Sequence, residues 1–520
     1  MLIAEYAWLI PLLPLLASAW IALGYAIGRN RGEAGERETS RVALGAAGLS
    51  LLLAVALGVQ ALIRGAPGQV TAGTWLVSGD YRIDFSFALD ALGLALAVLV
   101  AFVALLTIRF SVDYLHREAG FQRFFLVLSL FLAAMELIVI GGNAALVFAG
   151  WELAGVSSYL LIAYNFERSN AAINANRAFI GNRVGDAGFL LGIFLAFQWL
   201  GGIDWPGLQA NAGSLTPLRA DLIGLAFLLA ALAKSAQVPF APWIARALEG
   251  PTPSSAIFYG SLMVHAGVIL LIRLEPVLRQ APAVMALIAA LGLVTALYGW
   301  LCGLAQSDVK SSLMFSTTAQ VGLMFFWCGL GWMELAAWHL ALHALWRAYQ
   351  FLHAPSLMHR VSRPARPVPA WLAERRGLYN AALQRFWLDP LADWLLVRPT
   401  RYLARDVQNL DEQVVSRAVG LPAQDSELSA LSGCGVSGKG AYVNLAEGDI
   451  VGGRGILGRI LEWAASVLHW FEEHLVLRGG GEGLVRAIQR IGAFAMQIEE
   501  LLSQPRYLLL LIMATFAVIL

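Results

Sequence analysis

Apolar runs of roughly 20 residues recur along this chain, a length that crosses the hydrocarbon of a bilayer. No water is available there to satisfy a peptide group, so each run must close its hydrogen bonds internally as a helix. Composition agrees: 58% of the 520 residues are apolar and only 14% are charged, whereas soluble domains carry about 25% charged residues. The expected fold class is all-α, a polytopic membrane helix bundle.

Eleven spans are read at about residues 5–28, 41–63, 86–108, 122–141, 143–164, 178–199, 219–238, 254–274, 281–303, 309–330 and 332–356. A short apolar stretch at 507–520 brings the expectation to about 12. Residues 68–85 (GQVTAGTWLVSGDYRIDF) alternate and carry Gly-Asp, which predicts a small β-hairpin outside the membrane. The opening MLIAEYAWLIPLLPLLASAW lacks the basic n-region of a cleaved signal peptide and reads as a first span.

Arginine sets the expected orientation. The connections after spans 1, 3, 5, 7 and 11 carry Arg29, Arg31, Arg37, Arg109, Arg117, Arg168, Arg177, Arg246, Arg360, Arg363 and Arg366. Those after even spans have mainly Arg64, Arg82, Arg219 and Arg279. This predicts an N-terminus outside and residues 358–505 in the cytoplasm.

A net charge of +1, with no basic stripe or zinc-finger spacing, gives no basis for nucleic-acid binding. Cys302, Cys328 and Cys434 form no CxxC pair and offer no redox framework, so no cofactor is expected in this chain. Beyond residue 358 the composition changes. An Arg/Pro-rich stretch (361–380) precedes an amphipathic one (382–420), a Gly/Ser/Asp-rich linker (421–455), and a second amphipathic stretch (456–505) with Trp463, Trp470 and Phe471. Such stretches lie in the membrane interface or pack on another subunit.

Ionisable residues inside spans are costly and mark functional candidates. Lys234 stands out because the chain has three lysines, Lys234, Lys310 and Lys439, among 36 basic residues. Arginine stays charged, whereas a desolvated lysine can give up its proton. Lys234 is therefore either a titratable amine or a helix-end lysine snorkelling to the interface. Glu136 (span 4), Glu152 (span 5), Arg183 and Asp186 (span 6), and His265 (span 8) extend the series. Asp308 and Lys310 open span 10. His339, His343 and Arg347 recur at i, i+4, i+8 on one face of span 11.

These residue types suit a proton relay, and each has a plainer reading. Arg183 and Asp186 could form a purely structural ion pair, and His265 could be a hydrogen-bonded core histidine. His339 and His343 share a metal-ligand spacing, but with no third ligand evident no metal is expected. Lys310 reads as a half-solvated helix-start residue. Pro239, Pro242, Pro251 and Pro253 bracket the connection of spans 7 and 8, as an ordinary loop or as broken helices that admit backbone and water.

The segments GWELAGVSSYLLIAYN, NRAFIGNRVGDAGFLLGIF, AKSAQVPFAPWIARALEGPTPSSA, SDVKSSLMFSTTAQVG and HLALHALWRAYQFLHAPS occur in this order. Together, over residues 85–357, they resemble the large antiporter-like proton-pumping subunit of respiratory complex I. That family includes the large subunits of multisubunit Na+/H+ antiporters and membrane subunits of inorganic-carbon uptake complexes. The resemblance implies discontinuous helices and inverted five-span repeats. It implies Glu152 and Lys234 as the key pair, with Arg183 and Asp186 as the span-6 motif and His265, His339 and His343 along a central hydrophilic axis.

Three departures stand out. Arg347 occupies a position where the family commonly has lysine, and Glu136 has no expected counterpart. The segment RFWLDPLADWLLVRPTRYLARDVQNLDEQVV resembles the start of a lateral helix, yet it follows span 11 almost directly, so the second repeat looks shortened. The domain reading is 1–120 for N-terminal spans and hairpin, 121–276 for the first repeat, and 277–358 for the shortened second repeat. Residues 359–505 are read as lateral helices and linker, and 506–520 as a terminal span.

The expected function is proton translocation within a larger membrane complex, through Glu152, Lys234, His265, His339 and His343. Glu136, Arg183, Asp186, Asp308, Lys310 and Arg347 would support them. No catalytic chemistry is expected in the chain itself; it reads as an ion-translocating subunit of a NADH-quinone oxidoreductase-like complex. Expected partners are the bilayer and other membrane subunits, with a soluble catalytic subunit a further candidate. Two alternatives stand beside this: energising inorganic-carbon uptake with a soluble zinc partner, and a structural scaffold.

Overall fold

The structure, a computed structural model, describes residues 3–29, 32–79, 81–261, 263–354 and 368–410. The terminal stretch 507–520, the linker, the second amphipathic segment and Arg360, Arg363 and Arg366 lie outside the described residues. Two compact units are present, Met1–Thr400 and Arg401–Leu520. The described part of the second, residues 401–410, is helical.

In the first unit, helices α1 (Leu9–Ala26) and α2 (Gly32–Arg64) precede the hairpin β1 (Gly68–Ser78) and β2 (Tyr81–Leu89). Next come α3 (Ala91–Tyr114), α4 (Phe121–Ile140), α5 (Ala144–Ile162) and the long α6 (Ser169–Leu200). A short α7 (Trp205–Asn211) leads into α8 (Pro217–Lys234). Then the chain breaks into the small helices α9 (Pro242–Arg246) and α10 (Thr252–Ser255) before α11 (Ala266–Arg273) and α12 (Glu275–Leu278). Long helices resume with α13 (Pro282–Leu304), α14 (Val309–Gly329) and α15 (Met333–Leu352). An arm follows, made of α16 (Ala370–Ala373), α17 (Arg376–Leu383) and α18 (Leu388–Ala392).

Eight helical segments are long and apolar enough to cross a membrane, by length and composition, among the described residues. The other three expected spans are also helices: α8, α14 and α15, of 18, 21 and 20 residues. The chain is a polytopic membrane helix bundle.

Helix starts follow local chemistry. Asp90, Asn143, Asp204 and Asp308 each accept a hydrogen bond from the backbone three residues on, at 2.7–2.9 Å. The hairpin pairs Gly68 with Leu89 at its base and Ser78 with Tyr81 at its tip, slightly longer than the sequence predicts. Its base is tied to the start of α5, where Asn143 Nδ2 donates to the Asp84 carbonyl (2.7 Å) and to Ser86 Oγ (3.0 Å).

Of the two readings of the connection between spans 7 and 8, an ordinary loop or broken helices, the structure shows broken helices. Lys234 ends α8, Ala236 takes a positive φ of 49°, and regular α-helix resumes over a full turn or more only at α9. After α10 the chain runs through a π-helical stretch, Ala256–Ser261, and reaches His265 at the end of a 3-10 turn, Met263–His265. Wide turns of this kind often mark functional positions. They place His265 at an interruption of the eighth span.

Candidate functional site

Lys234 is 1% exposed. As the last residue of α8 it sits where the helix presents its unsatisfied carbonyls, a favourable place for a cation. Its amine donates to the Trp151 carbonyl on α5 at 2.9 Å and lies 5.1 Å from the centroid of the Trp151 ring. Nearby, Trp243 Nε1 on α9 donates to the Ala233 carbonyl at 2.8 Å, so the broken segment holds the end of the lysine helix.

Glu152 meets a different cation. The Arg183 guanidinium on α6 pairs with Glu152 and also with Asp186, whose Oδ2 is 2.8 Å from Nη2. The Asp186 contact is an ion pair without an aligned hydrogen bond, since neither of its carboxylate oxygens makes one. The resemblance implies Glu152 and Lys234 as the key pair; in the structure the direct contacts are Arg183 on the glutamate and the Trp151 carbonyl on the lysine. The reason is geometric. Arg183 and Asp186 share one face of α6, and a planar guanidinium can bridge two carboxylates where an amine is a single point of charge.

Gly155 brings the two cations together. A Cβ on it would stand 3.3 Å from both Arg183 Nη2 and Lys234 Nζ. The centre thus holds two cations and two carboxylates from α5, α6 and α8. Arg183 thus pairs with Asp186 one turn along its own helix and with Glu152 on α5.

The histidines form a second group. His265 Nε2 lies 3.0 Å from His343 Nδ1, both rings being buried. On α15, Arg347 Nε donates to His343 Nε2 at 3.4 Å and its Nη2 donates to Ser316 Oγ at 2.9 Å. His339 turns elsewhere: Trp327 Nε1 donates to its Nδ1 (3.3 Å), and its Nε2 faces Gln320 Oε1 (2.8 Å). The His339 and His343 rings are 6.2 Å apart and nearly perpendicular, so neighbouring positions on one helix do not make them a hydrogen-bonded pair. The partners also assign the tautomers. Neutral His343 carries its proton on Nδ1 and neutral His339 on Nε2.

The remaining candidates stand apart. Glu136 is fully buried in α4, and neither carboxylate oxygen has a hydrogen-bond partner among the described residues. Asp308 caps α14, accepting from Ser311 N and Oγ. Lys310 Nζ donates to Thr252 Oγ1 at 2.5 Å, fastening α14 to α10, and Tyr114 OH on α3 lies 3.0 Å from the same Thr252 oxygen.

Sequence reasoning passed over Ser316, Gln320 and Trp327. Their i, i+4, i+11 spacing on α14 puts them on one helical face, a signal that was available. It also passed over the arm: Arg246 pairs with Asp389 (2.7 Å) and Arg177 with Asp393 (2.9 Å). No local pattern announces contacts between residues so far apart in sequence.

Residues 141–372 match the family described as NADH:quinone oxidoreductase/Mrp antiporter, TM. Residues 75–125 match NADH-Ubiquinone oxidoreductase (complex I), chain 5 N-terminus, and the two segments make up more than half of the chain. The chain belongs to the antiporter-like membrane subunit family. It is 38% identical over 358 residues to NADH-quinone oxidoreductase subunit L of Mycobacterium tuberculosis, covering 68% of this chain and 56% of that one. With the chloroplastic NAD(P)H-quinone oxidoreductase subunit 5 of Nephroselmis olivacea the identity is 37%, covering 68% and 55%. The chain therefore spans little more than half the length of these relatives.

Among solved structures, the fold is shared with the Mrp complex from Dietzia sp. (TM-score 0.58, 24% identity, 66% of this chain and 37% of that one). It is also shared with the membrane-bound sulfane sulfur reductase, an archaeal respiratory membrane complex (TM-score 0.57, 20% identity, 67% and 70%).

Proposed function

We propose that this chain translocates protons as one subunit of a larger membrane complex. The observation that carries this reading is the buried Lys234 amine, held by a neutral backbone carbonyl beside a Glu152–Arg183–Asp186 cluster. With no carboxylate of the described residues bound directly to it, the amine can lose and regain a proton, and small shifts of Glu152 between Arg183 and Lys234 would set how readily it does so. His265 and His343 supply the next carriers.

The driving reaction is assigned to a partner, because no redox or nucleotide motif is read in this sequence. That partner and the neighbouring membrane subunits are proposed from the similar proteins, which are subunits of NADH- and NAD(P)H-quinone oxidoreductases or belong to the Mrp complex. None of these similarities favours the inorganic-carbon or scaffold alternatives. The proposed setting is a bacterial inner membrane, with the N-terminus and hairpin outside.

The test is proton flux into vesicles containing the full chain and the subunits that purify with it. Lys234→Ala should abolish flux, with assembly unchanged on a native gel. Undiminished flux in an assembled Lys234→Ala complex would overturn the proposal.

A further inference from the structure

We propose that Arg347 is a positioning residue that fixes the tautomer of His343 and closes the histidine pathway at that point. The inference rests on the relay reading above and assigns the relay an end. His343 has two ring nitrogens, and both are engaged: Nδ1 faces His265 at 3.0 Å and Nε2 faces Arg347 Nε at 3.4 Å. A guanidinium has five N–H donors and no acceptor, so the contact can run only from arginine to imidazole. Neutral His343 must then carry its proton on Nδ1 and donate it to His265 Nε2.

The consequence is directional. To pass a proton beyond His343, Nε2 would have to donate toward Arg347, which has no lone pair to receive it. A proton arriving on His343 from His265 also meets a fixed positive charge. Arg347 is 5% exposed, its hydrogen-bond partners among the described residues are His343 and Ser316, and no described carboxylate pairs with it. His339 offers no bypass. Its nitrogens are taken by Trp327 and Gln320, and its ring does not hydrogen-bond His343. Protons therefore enter and leave the His265–His343 pair on the His265 side. Arginine does this where lysine could not, since an amine can become neutral and accept a proton.

Two measurements on the full chain, with the subunits that accompany it in vesicles, test this. In 15N-histidine solid-state NMR, with His343 assigned by loss of its signal in His343→Gln, the wild type should show a neutral ring protonated at Nδ1. Arg347→Met should release it to a mixture of tautomers. In flux under an imposed membrane potential, Arg347→Lys should raise proton movement by about fivefold or more, by adding a group that can exchange protons. A wild-type His343 protonated at Nε2 overturns the inference. So does unchanged flux in Arg347→Lys when wild-type flux depends on Lys234. If wild-type flux does not depend on Lys234, the transport reading fails, and the tautomer measurement alone decides the role of Arg347.

Discussion

Gly155 matters for what it lacks: the missing Cβ leaves room for Arg183 and Lys234 to converge beside Glu152. Gly155→Ala should fold, because both displaced groups are the ends of long, adaptable side chains. Its proton flux should fall several-fold while its melting temperature in detergent stays within a few degrees of wild type. Arg183 carries a different load. Arg183→Leu leaves the Glu152 and Asp186 carboxylates without their shared cation, and removing one partner of such a partly buried charged contact costs on the order of 1 kcal/mol. Its melting temperature should drop, whereas Arg183→Lys should recover much of the stability and less of the flux. Equal melting of Arg183→Leu and wild type would show that the bridge holds nothing together. These residues were legible one at a time, since buried charges in apolar runs announce themselves. Their pairing was not, because which cation reaches Glu152 depends on how α5, α6 and α8 face one another.

Two contacts between elements fix the frame around the buried charges and histidines. Helices α13 and α14 approach closely along glycines: a Cβ on Gly292 would lie 2.5 Å from Phe326 N, and one on Gly322 2.6 Å from Ala296 N. In a membrane such close approach gives the packing that water exclusion cannot supply. Gly322→Leu should force these backbones apart, costing about 1–3 kcal/mol, read as early melting and poor yield. The second contact is the arm. Asp389 and Asp393 grip Arg246 on α9 and Arg177 on α6, six residues before Arg183 on the same helix. Because Trp243 on α9 also holds the end of the Lys234 helix, the arm bears on both elements that carry the central charges. Replacing both aspartates with asparagine should speed hydrogen exchange over residues 388–397 in mass spectrometry; unchanged exchange would mean that apolar packing alone seats the arm.

For the molecule as a whole, the arginine asymmetry and the hairpin make a sided prediction. In right-side-out vesicles of a variant with Cys434→Ser, a cysteine at Ser78 should react with a membrane-impermeant thiol reagent. One at Glu118 should react only after the membrane is opened. The reverse labelling would invert the topology. Cys302 and Cys328 are buried and should stay silent. On that side of the bundle, Arg117 pairs with Glu33 and His116 with Glu36, binding the loop after α3 to the start of α2.

By itself, the sequence determined that the chain is a membrane helix bundle, where its long helices run, and which side chains are chemically costly enough to need a purpose. Each of these follows from local rules: bilayer thickness, backbone satisfaction and the price of buried charge. Only the tertiary structure decided that Arg183 rather than Lys234 holds Glu152, that His343 meets His265 rather than His339, and that Arg347 stands behind it. Those choices depend on distances between helices far apart in sequence, which no periodicity encodes.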